Sequence, residues 1–321
     1  MLWNKDRTTI IAEIGTNHEG SLDIALDLIK SSAKCGADIV KFQSFIADEL
    51  ISKTDQNYFR LKSLEIKEKW YPILIEECQA NNVHFLSTAT SFESLDWMEK
   101  YNVLGYKVAS ANISHTQIID KLIEYRKPII LSTGMATFDE ISQIHKKLQD
   151  NRIEHVFLHC VSKYPAKSKE MNLGNIEYLK SNLECEIGFS DHSLGDNMSI
   201  AAVSLGAKII EKHVTADKNG KGMDNDVSLI PEEFKRFCSS IRETENALKV
   251  HFEMELSKFK NYRRSLHFAN NMSKGSIIQA KNIITIRPET GIKPEYLNQV
   301  LGKKLIKNAK QGDPILWDLV E

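Results

Sequence analysis

The stretch "EIGFSDHS", residues 186–193, starts as a buried strand and ends on Ser190, Asp191 and His192. A second apolar run, "KIIEKHVT" (208–215), ends in the same way, with His213 standing 21 residues after His192. Between them lies "NMSIAAVSLG" (197–206), an apolar segment of helical length. Strand, helix, strand is the pattern of a parallel βαβ unit, because parallel neighbours need a crossover and a helix supplies it.

Working outward, the unit recurs. Strands are expected over 8–15, 39–45, 84–90, 105–110, 128–134 and 156–162, besides the two above. Amphipathic segments separate them. "SLDIALDLIKSSAKCG" (21–36) begins at a Ser cap and stops at Gly36, and "KEKWYPILIEECQANN" (67–82) carries Pro72, expected to disturb its first turn. The last segment of the series is "PEEFKRFCSSIRETENALK" (231–249). Eight β-α units in about 250 residues is the size of a TIM barrel. The near-continuously apolar strands suit a parallel sheet covered on both faces. The alternative, an open doubly wound sheet, usually carries a glycine fingerprint after its first strand; "GTNHEGS" (15–21) lacks the GxGxxG spacing. The fold class expected is therefore α/β, a TIM (β/α)8 barrel over residues 1–250. A linker over 251–262 follows, then a small domain over 263–321 with short strand-like pieces, glycine turns and little helix.

The 321 residues carry a formal net charge of −1, which implies no nucleic-acid partner. No run of 18 apolar residues appears, so no membrane span is expected, and no signal-peptide pattern precedes the first strand. The five cysteines form no CxxC pair and suit reduced thiols, so a cytoplasmic protein is expected. The N-x-S matches at Asn112, Asn197 and Asn271 are then chance.

In a TIM barrel the chemistry sits at the carboxyl ends of the strands. These ends bear Glu13; Lys41 and Gln43; Ser87 and Thr88; Lys107 and Ser110; Ser132 and Thr133; Ser162; Ser190 and His192; and Glu211 and His213. Any one of them reads as a rim residue meeting solvent or backbone. All eight ends together would converge on one mouth. His192 and His213 end neighbouring strands, roughly 4.8 Å apart. Each alone reads as a hydrogen-bonded core histidine, whereas the matched pair favours a divalent metal. Two protein ligands make a weak, exchangeable site, of the Mn²⁺ or Mg²⁺ kind rather than structural Zn²⁺.

Lys41 and Lys107 are costly inside a barrel mouth unless an anion pairs with them. With Thr88, Ser110, Ser132, Ser162 and Ser190 they form a basic, hydroxyl-rich pocket that fits phosphate. A Schiff-base lysine is the other chemical use of such a residue. Cys160 reads as inert packing and His159 as a core residue. "KNGKGMDND" (218–226) lacks the ending and setting of a P-loop. The lysines of 302–310 read as a solvated face.

The stretches "IIAEIGTNHEGSLDIA" (10–25), "GADIVKFQSF" (36–45), "YKVAS" (106–110), "PIILSTGM" (128–135), "LHCVSKYP" (158–165), "IGFSDHS" (187–193) and "IEKHVT" (210–215) resemble the sialic acid synthase family. "RRSLHFANNMSKG" (263–275) and "ITIRPETGI" (284–292) resemble that family's antifreeze-like SAF domain. The resemblance covers nearly the whole chain in the expected order. It implies condensation of phosphoenolpyruvate with an open-chain N-acetylated hexosamine and water, giving a 3-deoxy-2-keto nonulosonic acid and phosphate. It also implies Mn²⁺ or Mg²⁺, and a domain-swapped homodimer in which each SAF domain closes the partner's mouth. On it, His192 and His213 take the metal positions, and Lys41, Thr88, Lys107, Ser110, Ser132, Ser162 and Ser190 the phosphoenolpyruvate positions. Glu13, Gln43, Tyr164 and Asp224 fall where the sugar and the attacking water are handled, and Arg287 matches an arginine that reaches the sugar's N-acyl group. Glu13 suits either orienting the water or binding a sugar hydroxyl.

Some positions depart from the pattern. Asn112, in "ASANIS" (109–114), stands where sialic acid synthases proper carry an acidic residue, and "STATSF" (87–92) replaces the usual "STPFS". Ser162 stands where bacterial sialic acid synthases often have Asn. These changes bear on which sugar is accepted, N-acetylmannosamine or a 2,4-diacetamido-trideoxyhexose. Competing readings are a Schiff-base lyase on the same barrel and a non-catalytic sugar-binding protein.

Overall fold

The structure is a computed structural model that describes residues 2–250 and 254–321. Eight parallel strands close on themselves in sequence order: β1 (Thr9–Gly15), β2 (Ile39–Ser44), β3 (His84–Ala89), β4 (Tyr106–Val108), β5 (Ile129–Ser132), β6 (His155–Cys160), β7 (Glu186–Asp191) and β8 (Ile209–His213). The pairing of β1 with β8, which sets Glu13 beside His213, excludes the open-sheet alternative. Eight helices cover the strands: α1 (Leu22–Cys35), α2 (Tyr71–Ala80), α3 (Phe92–Lys100), α4 (Thr116–Tyr125), α5 (Phe138–Asp150), α6 (Gly174–Asn182), α7 (Asn197–Ser204) and α8 (Pro231–Ala247).

Local chemistry explains where the helices begin and end. Ser21 caps α1 by accepting from the Ile24 N–H, and Gly36 ends it at φ +109°, a left-handed conformation that glycine adopts without a Cβ penalty. Thr137 and Glu140 form a capping box on α5. Pro72 does not disturb α2; it sits within the first turn, where a missing N–H costs nothing, behind a 3₁₀ turn over Glu68–Trp70.

The period of two along each strand builds the barrel interior in layers. Ile11, Ile39, Leu86, Ile130, Leu158 and Ile209 fill the floor with Leu2 and Trp3. Two residues further along the same inward face come Glu13, Lys41, Thr88, Ser132, Cys160 and Glu211. The apolar floor thus gives way within one layer to a polar chamber.

The chain divides into two compact units, Met1–Lys249 and Val250–Glu321. Of the expected linker 251–262, residues 251–253 lie outside the described residues, and 254–262 is loop with a 3₁₀ turn over Leu256–Phe259. The second unit pairs β9 (Ser265–Phe268) antiparallel to β10 (Ile283–Ile286), around a core that includes Leu266, Phe268, Ile278, Leu305 and Ile315. Among the described residues no helix is long and apolar enough to cross a membrane.

Candidate active site

The polar layer opens into a cavity of about 250 Å³ at the carboxyl ends of the strands. Glu13, Lys41, Gln43, Thr88, Lys107, Ser110, Asn112, Ser132, Ser162, Tyr164, Ser190, His192 and His213 all line it. Asp224, on the loop after β8, is not part of that lining but stands beside His213, with Oδ2 3.7 Å from His213 Nδ1. Arg287 belongs to the second unit, where its guanidinium lies 6.0 Å from the Tyr262 ring centroid.

At the centre is a buried charge cluster. Lys41 Nζ lies 2.8 Å from Glu13 Oε2 and 3.6 Å from Glu211 Oε2, and donates to Thr88 Oγ1 at 3.3 Å. Lys107 Nζ donates to Ser132 Oγ at 2.6 Å and to the Val108 carbonyl at 3.3 Å, with Glu211 Oε2 3.9 Å away. The Ser190 hydroxyl donates to Glu211 Oε1 at 2.8 Å, and Gln43 Nε2 to Glu13 Oε1 at 2.8 Å. Burial opposes charge on Lys41, but the Glu13 and Glu211 carboxylates outweigh it and hold its ammonium above the usual lysine range. Lys107 moves the other way: burial pulls it below that range, Glu211 opposes the fall, and Lys41 adds repulsion. Burial likewise opposes charge on Glu211, yet Lys107, Lys41 and the Ser190 hydroxyl keep its carboxyl well below the usual range.

The two histidines lie against this cluster, their ring centroids 5.4 Å apart. His192 follows β7 directly, and its Nδ1–H donates to the Val161 carbonyl at 2.8 Å. That bond fixes the tautomer and leaves Nε2 with a bare lone pair, to which the Tyr164 hydroxyl donates at 3.1 Å. Burial, with the neighbouring His213, lowers the His192 pKa to about 4, so the ring is neutral near pH 7. His213 Nδ1 is buried without a hydrogen-bond partner. A bare imidazole nitrogen, an orphaned one and the Asp224 carboxylate are donors of the types a divalent cation takes, although the three do not all lie within 4.8 Å of one another.

Two polar strand-end residues face away. The Ser87 hydroxyl is 2.7 Å from Ser44 Oγ in a buried network with Tyr71, and Thr133 Oγ1 donates to the Leu158 carbonyl at 3.1 Å. Alternation explains both, since each adjoins an inward residue, Thr88 or Ser132. Conversely, Cys160 is not inert packing. It ends β6 facing the cavity, with Sγ 3.0 Å from Ser110 Oγ. It stands two residues before Ser162, and Glu211 stands two before His213. The same period of two was the signal that places Cys160 and Glu211 in the site. His159 is a core residue, its Nε2 2.7 Å from the Met171 carbonyl oxygen. Gly134 admits no side chain at this edge: a Cβ would come within 2.6 Å of Cys160 Sγ and Ser162 Oγ.

Comparison with known proteins finds similar acid synthases. The chain is 37% identical over 330 residues to the N,N'-diacetyllegionaminic acid synthase of Campylobacter jejuni, covering 96% of this chain and 99% of that one. It is 32% identical over 332 residues to a pseudaminic acid synthase of the same species, covering 98% and 97%. Its fold superposes on the crystal structure of an N-acetylneuraminic acid synthetase from Leptospira borgpetersenii with a TM-score of 0.76 at 31% identity, over 80% of this chain and 91% of that one. The NeuB family model matches residues 28–252 and the SAF domain model residues 263–321. The chain therefore belongs to the NeuB family of acid synthases, with a TIM-like barrel followed by a SAF domain.

Proposed function

We propose that this protein is a nonulosonic acid synthase that condenses phosphoenolpyruvate with an open-chain N-acyl amino sugar and water. The observation that carries the reading is the charge cluster beside two imidazoles in one cavity. Lys41 and Lys107 face Glu13 and Glu211, so the four formal charges sum to zero. A multiply charged enol phosphate entering a neutral, buried chamber needs a compensating cation. His192, His213 and Asp224 are the residues that would hold it. A divalent ion bound there supplies Lewis-acid polarisation of the sugar aldehyde. Lys107, Lys41 and the hydroxyls of Thr88, Ser110, Ser132, Ser162 and Ser190 hold the ester's phosphate and carboxylate in place, which is positioning plus electrostatics.

The enolpyruvate C3 bonds to the aldehyde carbon, whose oxygen gains a proton. The oxygen of water then bonds to C2 and gives up both its protons, one balancing the new hydroxyl and one leaving with the phosphate. Phosphate leaves from C2 by C–O cleavage, and the 2-keto acid remains. Glu13, oriented by Gln43 and Lys41, is the carboxylate placed to orient that water or a sugar hydroxyl. Exposed Leu50, Met135 and Tyr164 border the cavity, an apolar rim that suits a covering element. On the family pattern that cover is the SAF domain of a second copy in a homodimer, with Arg287 directed at the N-acyl group.

The relatives named for legionaminic and pseudaminic acids favour a 2,4-diacetamido-trideoxyhexose over N-acetylmannosamine, and Asn112 at the mouth is in keeping with that. The test is phosphate release from phosphoenolpyruvate with Mn²⁺ or Mg²⁺ and a panel of N-acyl hexosamines, followed by the product mass. Silence across the panel from folded, metal-loaded protein overturns the reading. The depressed Lys107 favours a second reading, a Schiff-base lyase. Borohydride trapping with pyruvate separates the two, and no adduct on Lys107 is expected.

A further inference from the structure

At the end of the barrel opposite the mouth, three residues remote in sequence meet. His155 opens β6, His145 lies on α5, and Cys185 directly precedes β7. Among the described residues this is the one set of three His, Cys, Asp or Glu side chains whose donor atoms all lie within 4.8 Å of one another. His155 Nδ1 is 2.7 Å from the Ile153 carbonyl oxygen, so it carries the proton and Nε2 is bare. That bare nitrogen faces His145 Nδ1 at 2.9 Å, and a hydrogen atom must lie between them. We propose that His145, His155 and Cys185 form a second metal site, for a borderline-soft divalent ion of the Zn²⁺ class, independent of the mouth.

The donor chemistry separates the two sites. Imidazole with thiolate selects Zn²⁺ or Co²⁺ over Mg²⁺ and Mn²⁺. Ligands around a tetrahedral zinc at about 2.0–2.3 Å stand roughly 3.3–3.8 Å apart, so the two rings, 2.9 Å apart here, must part slightly. Burial on balance opposes charge on these groups, so the metal itself has to displace the thiol proton. The backbone of Phe157 hydrogen-bonds Cys185 and favours the thiolate, against burial and the Glu186 carboxylate, which push the thiol up to about 12. The Glu184 carboxylate acts on His145 in the sense that favours a cation there, against burial, which lowers that ring's pKa as it does for His155. One thiolate and one carboxylate balance a divalent charge. Binding moves the His145 proton from Nδ1 to Nε2 and expels one proton, that of the Cys185 thiol, so affinity gains about tenfold per pH unit in the range where both rings are neutral. Cys185 is partly exposed, which leaves an entry path. A metal here would tie α5, β6 and the segment before β7 together.

The test is titration of chelator-stripped, full-length protein with Co²⁺, read by its thiolate charge-transfer absorption, alongside thermal melts with Zn²⁺. His213→Ala should keep one equivalent of the thiolate band, while Cys185→Ser loses the band and His145→Asn binds at least about 100-fold more weakly. One equivalent of Zn²⁺ should raise the melting temperature of His213→Ala but not of a folded Cys185→Ser. Absence of the thiolate band in the wild-type chain, or its survival in Cys185→Ser, overturns the proposal. An unfolded Cys185→Ser leaves His145→Asn to decide: unchanged affinity there also overturns it.

Discussion

His192 and His213 stand at one end of the barrel, His145 and His155 at the other. In each pair one ring commits a nitrogen to a backbone carbonyl: His192 to Val161, His155 to Ile153. The bare nitrogen of His192 accepts from a tyrosine beside a cavity, with Glu13, Glu211 and Asp224 nearby. The bare nitrogen of His155 faces the other imidazole directly, 2.9 Å away. In both places a hydrogen bond to a backbone carbonyl bares the other ring nitrogen, and on the proposals above the surroundings set the class of ion. Carboxylates and hydroxyls at the mouth suit a hard, exchangeable cation; a thiol at the floor suits a soft one. Five steps along β6, roughly 17 Å at about 3.3 Å each, separate His155 from Cys160 at the mouth.

The largest expected effect breaks the mouth pair. His213→Ala should lower turnover about a thousand-fold, because Lewis-acid stabilisation is worth several kcal/mol at about 1.4 kcal/mol per decade. Its melting temperature in metal-free buffer should stay close to that of the parent. Normal turnover with saturating Mn²⁺ would remove His213 from the metal site.

Next in size is the charge cluster that distinguishes the mouth from the floor. Glu211→Leu leaves Lys41 with Glu13 alone and removes the nearest counter-charge of Lys107. Removing one partner from a buried pair costs about 3–5 kcal/mol, read by denaturant unfolding. A loss under about 1 kcal/mol would mean that water already solvates the cluster.

A third buried imidazole calibrates both pairs. His18 packs between Phe42 and Trp70, and burial lowers its pKa to about 4. The unfolded chain protonates this ring first, near pH 6.5, so acid favours unfolding. The stability is complete above pH 6.5 and lost down to about pH 4, for about 3 kcal/mol in all. His18→Gln should flatten the stability–pH curve in that window. An unchanged slope would show that the other buried histidines, among them His159, His192 and His155, carry the acid response instead.

The smallest effect belongs to the floor. His155→Ala should leave Mn²⁺-supported turnover within about two-fold, because the chemistry lies at the opposite strand ends. A loss comparable to that of His213→Ala would erase the distinction between the two pairs.

The architecture was legible because its signals are local. Ser21 and Gly36 bracket the first helix, and the apolar runs alternate with helical segments eight times. The mouth was legible because strands in a barrel align their carboxyl ends, so a period of two carries Lys41, Lys107, His192 and His213 to one place. Ser87 and Thr133 were misplaced where neighbours on one strand were both counted, and Cys160 where its side of the strand was not.

What the sequence alone determined is therefore the barrel, its polar end and the two lysines and two histidines that face each other there. Only the tertiary structure decided which nitrogen of His192 is bare, that Glu13 and Glu211 together balance the two lysines, and that His145, His155 and Cys185 meet at the end opposite the mouth. The physical reason is range. Caps and periodicity act within a few residues of chain, whereas the hydrogen bond from His192 to Val161 and a contact between α5 and the approach to β7 depend on distances that exist only after the barrel closes.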